Sequence, residues 1–195
     1  MELVRPAAEH LPGYIAALRR GWSPDNLRAA AAQEGLERIA ADAPAFLAAM
    51  DDPQARGPLI TLPDGSQVPR IPGLIRWMWD EEGFAGSIGL RWMPGGAPLP
   101  PHVLGHIGYA VVPWKQRRGH ATKALGLLLP LAKTREQAWV ELTTDPENLP
   151  SQRVMLANGA VLVEHFDKGP AYGHKPGLRY RIDLKDVAAA ALPST

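Results

Sequence analysis

A strand that leads through a basic turn into a helix constrains the fold of this chain more than any other stretch. Residues 106–112 alternate with a period of two, and Pro113, which cannot donate to a strand ladder, ends the run. Apolar residues then recur at helical spacing from Gly119 to Lys133. The pattern predicts a buried strand, a turn and a helix, with a kink or an early end at Pro130.

The turn between these elements has the composition of an anion site. The first turn of a helix leaves N–H groups unpaired and carries a partial positive charge, and Gly119 exposes the main chain. Lys115, Arg117 and Arg118 add full charges. The patterns GxxxxGK[ST] and GxGxxG are absent, which disfavours ATP and NAD. The turn therefore favours another pyrophosphate-bearing cofactor, with a solvated basic helix start as the alternative.

Two stretches resemble a known superfamily. QRRGHA matches the Q/R-x-x-G-x-G/A signature of the GNAT acetyl-CoA-dependent N-acetyltransferases, and GHIGYAVVPWKQRRGHATKAL resembles the GHIGYxVxPxxRRxGYAT pattern of a bacterial branch of predicted acetyltransferases. Downstream, VELTTDPENLPSQRVMLANGAVLV is similar to the next strand, Asn-containing turn and helix of the superfamily. The resemblance covers residues 74–184.

The resemblance implies an α/β (α+β) fold. In it a central mixed, mostly antiparallel twisted sheet of about six to seven strands is flanked by helices and splayed at the acetyl-CoA site. We expect one domain over residues 1–195, with residues 1–73 shaping the acceptor side and residues 74–184 binding acetyl-CoA.

The periodicity of the remaining chain predicts a series of further elements. They are strands at 2–5, 74–79, 84–93, 139–144, 160–166 and 178–184, a helix at 10–20, two helices within 25–50 separated near Ala43-Pro44, a loop at 51–73, a helix capped by Asn148 and ended by Gly159, and a frayed tail at 188–195.

Composition excludes several classes of function. A length of 195 residues suits one well-buried domain, and a net charge of +1 gives no general attraction to nucleic acid or to a membrane surface. The absence of cysteine excludes disulfides, thiolate zinc sites and a cysteine nucleophile, and we predict no metal site. No signal-peptide run and no stretch of about 20 apolar residues is visible, so we expect a cytoplasmic protein.

The resemblance also implies a set of acetyl-CoA-binding residues. An N–H group near Val111 or Val112 would bind the thioester oxygen, and Asn148 and Ser151 match positions that touch the pantetheine or the thiol. The pyrophosphate would lie on the main-chain amides of the turn, which are those of Gln116, Arg117, Arg118, Gly119, His120, Ala121 and Thr122.

The general base has several candidates. His106 stands where several members carry a glutamate, and its unperturbed pKa of about 6.5 suits the task. A structural histidine bonded to a neighbouring loop is the alternative, while Glu141 and a water chain are the next candidates for the base.

The general acid departs from the family. The usual tyrosine position holds Met155, which cannot donate a proton, so Tyr109, Tyr172 or Tyr180 would reach in, or solvent would protonate the thiolate. We expect the acceptor to be a primary amine of a small molecule or peptide, and a homodimer is common in the superfamily. A non-catalytic acyl-CoA-binding sensor or interaction module is the alternative function.

Two further groups of residues allow two interpretations each. Trp77 and Trp79 face one way and either pack in the core or form a wall of the acceptor pocket. The acidic residues Asp80, Glu81 and Glu82 form either a solvated turn or a catalytic carboxylate cluster.

Overall fold

The structure, a computed structural model, describes residues 1–189 of the chain. Most of the predicted frayed tail therefore lies outside the described residues. The helices are α1 (Leu11–Arg19), α2 (Ala31–Ala41), α3 (Ala43–Ala48), α4 (His120–Lys133) and α5 (Leu149–Leu156). The strands are β1 (Glu2–Val4), β2 (Asp51–Asp52), β3 (Ile60–Thr61), β4 (Gln67–Val68), β5 (Gly73–Asp80), β6 (Gly83–Arg91), β7 (Ile107–Val111), β8 (Trp139–Thr144), β9 (Val161–Asp167) and β10 (Pro176–Asp183).

The strands form two main sheets rather than one. The first has the order β1-β5-β6-β7, with β2 also paired to β5, and the second has the order β8-β10-β9. The strands β3 and β4 form a separate small hairpin. All pairings among the described strands are antiparallel. The predicted class of a mainly antiparallel sheet flanked by helices is confirmed.

Helices cover both faces of the first sheet. On one face Tyr14 of α1 stacks on Trp77 of β5, with ring centroids 4.6 Å apart, in a core that also includes residues of α2 and α3. On the other face Leu125 and Leu128 of α4 are fully buried against residues of both sheets. Burying a leucine side chain stabilises the fold by about 1.5–3 kcal/mol, so these two faces fix where each helix lies.

The helix α4 passes through Pro130 and ends at Lys133, so the predicted early end at Pro130 is wrong. Proline removes one backbone hydrogen bond and crowds the preceding turn. Here Leu128, Leu129 and Ala132 on either side of it are buried in the core, and their packing holds the last turn in helical form. Within residues 1–189 no helix is both long and apolar enough to cross a membrane.

Candidate active site

The two sheets touch at one end of β7 and separate beyond it. The backbone N–H of His106 donates to the Glu141 carbonyl oxygen at 2.7 Å, and the Glu141 N–H donates to His106 Nδ1 at 3.0 Å. Gly105 permits this approach, since a Cβ there would lie 2.9 Å from the Glu141 carbonyl oxygen. We call these contacts the His106–Glu141 clasp. Past the clasp, no described strand pairs with the β8-facing edge of β7.

The open edge of β7 presents backbone groups of its odd-numbered residues. Val112 N–H donates to the Ala85 carbonyl at 3.0 Å, so the even-numbered side pairs with β6. Alternation in an antiparallel ladder turns the N–H and C=O groups of Tyr109 and Val111 outward. Side-chain amides of Asn26 and Gln116 donate to those two carbonyls, at 3.0 and 3.4 Å. The Val111 N–H faces the opening, whereas the Val112 N–H is already used.

The basic turn has the backbone shape of an anion-binding nest. Arg117 and Gly119 both have positive φ, 61° and 77°, and Gly119 is the N-cap of α4. The first helical hydrogen bond runs from Lys123 N–H to the Gly119 carbonyl, so the N–H groups of residues 120–122 have no acceptor within the helix. A Cβ on Gly119 would meet nothing within 4 Å. The concave, open turn fits a phosphate group.

Only part of the charge at this turn is free for a ligand. Lys115 is buried and its Nζ lies 2.5 Å from Asp80 Oδ1, while Arg118 Nη1 lies 3.2 Å from Glu82 Oε2. His120 Nε2 lies 3.2 Å from Asp80 Oδ2. The interpretation of residues 80–82 as a solvated turn is therefore wrong for Asp80, which is partly buried and paired with Lys115 and His120, whereas the Glu82 side chain stays exposed beside Arg118. Arg117 is exposed and forms no ion pair within residues 1–189.

The start of α5 brings a tyrosine hydroxyl to the open edge. Asn148 caps the helix by accepting from the Ser151 N–H at 3.2 Å, as predicted. The Tyr109 hydroxyl lies 2.8 Å from Ser151 Oγ and 3.3 Å from the Ser151 carbonyl oxygen. Burial raises the pKa of Tyr109 to about 12, although the bond to Ser151 opposes this. The phenol is therefore a proton donor at neutral pH.

The two candidate bases are held by other groups. His106 Nδ1 accepts the Glu141 N–H, which leaves the proton of the neutral ring on Nε2 and uses the only lone pair. Burial lowers the pKa of His106, although the Glu141 carboxylate opposes this. Glu141 Oε1 lies 2.7 Å from Arg181 Nη2, and its Oε2 lies 3.2 Å from Arg179 Nη1. Both residues line a cavity of about 540 Å³ whose lining includes none of the β7 residues, so they do not face the open edge of that strand.

The remaining predicted donors lie elsewhere. Met155, at the usual tyrosine position, is fully buried in the core. The Tyr172 hydroxyl donates to the His102 carbonyl at 2.9 Å, and the Tyr180 hydroxyl donates to Gln152 Oε1 at 3.2 Å. Of the tyrosines considered, Tyr109 is the one that belongs to the open strand edge.

A cavity of about 410 Å³ reaches the same strand from the α2 side. Its floor includes the facing pair Gly89 and Gly108, and Trp77 and Tyr109 also line it. Trp77 thus belongs to both the core and a pocket wall. Sequence reasoning missed four arginines of the lining, because they are scattered through the chain and carry no motif: Arg28, Arg38, Arg70 and Arg91.

The comparisons identify the family. A family model described as acetyltransferase (GNAT) domain matches residues 2–161. The chain therefore belongs to the GNAT family and is an acyltransferase. No protein of curated function matches it.

Several solved structures share the fold over nearly the whole chain. A Vibrio cholerae protein described as a ribosomal-protein-serine acetyltransferase is 16% identical, with 93% of this chain and 92% of that chain covered and a TM-score of 0.55. The microcin C7 self-immunity acetyltransferase MccE, solved with acetyl-CoA and AMP, is 14% identical, with 93% and 91% covered and a TM-score of 0.59. The ribosomal L7/L12 α-N-protein acetyltransferase RimL, solved with CoA, is 12% identical, with 93% and 92% covered and a TM-score of 0.59.

Proposed function

We propose that this protein transfers the acetyl group of acetyl-CoA directly to a primary amine. The observation that carries the proposal is the open edge of β7, which runs from the His106–Glu141 clasp to the nest at Gly119. A pantetheine arm can lie along such an edge as an added strand while its pyrophosphate rests on the helix start. MccE and RimL were solved with acetyl-CoA and CoA, which is consistent with this use of the fold.

Residues of the open edge and of α5 would carry the chemistry. Acetyl-CoA supplies an acetyl group activated as a thioester. The Val111 N–H would donate to the thioester oxygen and stabilise the negative charge that develops there. The N–H groups of residues 120–122, with Arg117, would hold the pyrophosphate. Gln116 would support the site indirectly, because its N–H already donates to the Pro113 carbonyl.

Direct transfer requires a neutral amine, and proton balance assigns two further tasks. As the amine nitrogen bonds to the carbonyl carbon, the carbon–sulfur bond breaks, and the nitrogen loses a proton while the sulfur gains one. We assign the sulfur proton to Tyr109 and the nitrogen proton to water, because the imidazole lone pair and the Glu141 carboxylate are both engaged. The chain has no cysteine, which supports transfer without a cysteine acyl-enzyme.

Thermal unfolding with and without acetyl-CoA tests the cofactor half of the proposal. A ligand at about 100 times its dissociation constant stabilises the native state by about 2.7 kcal/mol, which raises Tm by several degrees. Arg117→Glu should reduce the shift, because it reverses an exposed charge beside the nest that has no carboxylate partner within residues 1–189. An unchanged Tm of the wild-type protein on addition of acetyl-CoA would contradict the proposed acetyl-CoA site.

The second candidate function is an acyl-CoA-binding module without turnover. Met155 in place of the usual tyrosine and the engaged lone pair of His106 are the observations that favour it. Release of free CoA, measured with a thiol reagent across a panel of amines, separates the two functions. Turnover above the rate of acetyl-CoA hydrolysis supports the enzyme, and a large thermal shift without turnover supports the module. A homodimer and a cytoplasmic location remain predictions.

A further inference from the structure

The cavity of about 410 Å³ beside β7 carries more positive charge than its own carboxylates neutralise. Four arginines line it, against one lining carboxylate, that of Glu34. Glu34 Oε1 lies 2.5 Å from Arg28 Nη2, so this pair cancels itself. Arg38 and Arg91 have no carboxylate within 4.0 Å in the part of the chain that the structure describes, and Arg70 reaches Asp52 only at 3.9 Å. The cavity is therefore a cationic chamber.

The arginine charges are poorly compensated by the protein. Arg70 is half-buried, and loss of hydration lowers its pKa, which the Asp52 carboxylate opposes only in part. Arg38 and Arg91 are exposed, so their guanidinium groups are accessible to a ligand. Asp52, the neighbour of Arg70, already accepts the N–H groups of Arg56 and Gly57, at 2.8 Å each. A half-buried guanidinium group without a close carboxylate costs free energy, and an anion bound at Arg70 would recover part of it.

Arg91 connects this charge to the reacting strand. A Cβ built on Gly108 would lie 3.2 Å from Arg91 Nη2, so the guanidinium lies directly over the strand residue that precedes Tyr109. Gly89, opposite Gly108 in the ladder, has the same lack of a side chain and keeps the floor clear. Arg70 and Arg91 also line an adjoining cavity of about 260 Å³. The guanidinium groups of Arg70 and Arg91 therefore lie beside the part of β7 that the acceptor amine must approach.

We infer that the acceptor is a small amine that also carries a carboxylate or a phosphate, with the anionic group bound by Arg38, Arg70 and Arg91. This inference rests on the proposed acetyl transfer and names its substrate class. Arginine suits the task, because its planar donors pair with both oxygens of a carboxylate or phosphate. The cavity has the size of a pocket for a small molecule. Repulsion would exclude polyamines from the same chamber.

The test compares matched acceptors by the rate of CoA release. One arm pairs each of the common amino acids with its amide, and the other pairs aminoalkyl phosphates with the corresponding amino alcohols. We expect kcat/KM to be about 10- to 100-fold higher for the anionic member of at least one pair, which is the range for a charged hydrogen bond. The arm that responds tells carboxylate from phosphate. Equal rates within every pair, or faster turnover of polyamines, would overturn the inference.

Four variants locate the effect. Arg91→Gln should abolish the preference for the anionic member, while Arg91→Lys should restore part of it. The charge-neutral double variant Arg28→Gln with Glu34→Gln changes the same cavity but removes a pair that cancels itself, so it should keep the preference. Preference retained in Arg91→Gln and in Arg38→Gln with Arg70→Gln contradicts the assignment. Circular dichroism checks that each variant is folded.

A binding measurement separates failure of this inference from failure of the proposed function. Thermal unfolding with N-acetyl amino acids and N-acetylated aminoalkyl phosphates, at saturating CoA, reports occupation of the chamber without turnover. A shift for the anionic products that is absent for their neutral counterparts supports the inference even where no acceptor reacts. No shift for any product and no turnover, with CoA still bound, would overturn the inference alone. Loss of CoA binding itself would overturn the proposed function.

Discussion

At the scale of single residues, His106 shows how one hydrogen bond changes the interpretation of a side chain. Its ring accepts the Glu141 N–H and joins the two sheets, so the structure gives it a positioning task. Asparagine can present an acceptor oxygen near the position of Nδ1, but it cannot act as a base near neutral pH. His106→Asn and His106→Ala therefore separate the two roles.

We expect His106→Asn to retain most of kcat and His106→Ala to lower kcat about tenfold. The alanine variant leaves the buried Glu141 N–H without an acceptor, which costs about 1–3 kcal/mol, and part of this cost should appear as disorder of the active site. The measurement is the kcat, the Tm and the pH profile of kcat for the wild-type enzyme and both variants. Equal and large losses of kcat in the two variants, together with variant profiles that lack the acid limb of the wild-type profile, would show that His106 is the general base.

Tyr109 is the residue to which we assign the proton for the leaving sulfur. Tyr109→Phe keeps the ring and removes the hydroxyl that contacts Ser151. We expect kcat to fall about 100-fold, a typical contribution of general acid catalysis, with little change in the KM for acetyl-CoA. Because burial raises the Tyr109 pKa to about 12, wild-type activity should show no alkaline loss from this group below about pH 10.

Ser151→Ala provides the matched control for Tyr109. It removes the hydroxyl partner of the phenol but leaves the Ser151 carbonyl, which also lies within reach of the Tyr109 hydroxyl. A modest loss of kcat is expected. If Tyr109→Phe is as active as Ser151→Ala, solvent rather than Tyr109 protonates the thiolate.

At the scale of elements, the turn into α4 depends on a backbone shape that alanine reaches only with strain. Gly119 has φ of 77°, and the space around its Cβ position is open. Gly21, after α1, has φ of 86° and is equally open, so it is a matched control. Each Gly→Ala change should cost about 1 kcal/mol of stability, because both place a side chain in the left-handed region.

Only the change at Gly119 should also weaken acetyl-CoA binding, since the added methyl group would stand where the phosphate approaches the N–H groups of α4. Isothermal titration of both variants with acetyl-CoA makes the comparison. Equal affinities in Gly119→Ala and Gly21→Ala would show that the turn does not hold the pyrophosphate.

The His106–Glu141 clasp is the second element that a glycine makes possible. A Cβ at Gly105 would lie 2.9 Å from the Glu141 carbonyl oxygen, a backbone atom that cannot rotate away. We expect Gly105→Ala to destabilise the fold by about 1–3 kcal/mol, the usual cost of overpacking. Gly35→Ala is the control, because its Cβ would meet only a methyl group of Leu18 at 3.3 Å. Urea unfolding that finds the two variants equally stable would contradict the clasp.

Local patterns predicted the elements well and their long-range contacts poorly. The strand, basic turn and helix at residues 106–133 were visible, because periodicity and capping are local properties. The pairing of Asp80 with Lys115 joins residues 35 positions apart, and no local pattern reports it. The predicted helix end at Pro130 was wrong for the same reason, because tertiary packing of α4 outweighs the local preference of proline against a helix.

At the scale of the whole molecule, the family and the fold followed from one contiguous segment, whereas the charge of the acceptor side did not. The arginines of the cationic chamber come from α2, from the loop before β5 and from the end of β6. Only the folded sheet brings Arg38, Arg70 and Arg91 together. The net charge of +1 for the whole sequence therefore does not reveal the local positive charge of the cationic chamber.

Buried ionisable groups predict how the stability of the whole molecule depends on pH. Burial lowers the pKa of His106 and of His120, against the opposing Glu141 and Asp80 carboxylates. Arg91, Arg179 and Arg181 around His106, and Lys115 and Arg118 around His120, act in the same direction as burial. The unfolded chain then binds more protons than the native protein as the pH falls through about 6.5, so stability declines from about pH 7 downward.

A second decline belongs to carboxylates and begins at lower pH. Burial alone would raise the pKa of Asp52 and Asp80, but hydrogen bonds reverse this: the N–H groups of Arg56 and Gly57 for Asp52, and chiefly Lys115 for Asp80. Their stabilising effect is complete above the ordinary aspartate pKa of about 3.9 and is lost as the pH falls through the lowered native values. Acid should therefore weaken the fold in two separate stages.

Urea unfolding at pH 7.5, 5.5 and 2.5 would resolve the two stages in the wild-type protein. The double variant His106→Asn with His120→Asn should keep the decline between pH 5.5 and 2.5 and lose most of the decline between pH 7.5 and 5.5. Because the asparagine side chain introduced by His106→Asn can still accept the Glu141 N–H, the comparison changes titration more than the clasp itself. Wild-type stability that is the same at pH 7.5 and 5.5 would mean that neither imidazole is held neutral by the fold, and the positioning role of His106 would lose its support.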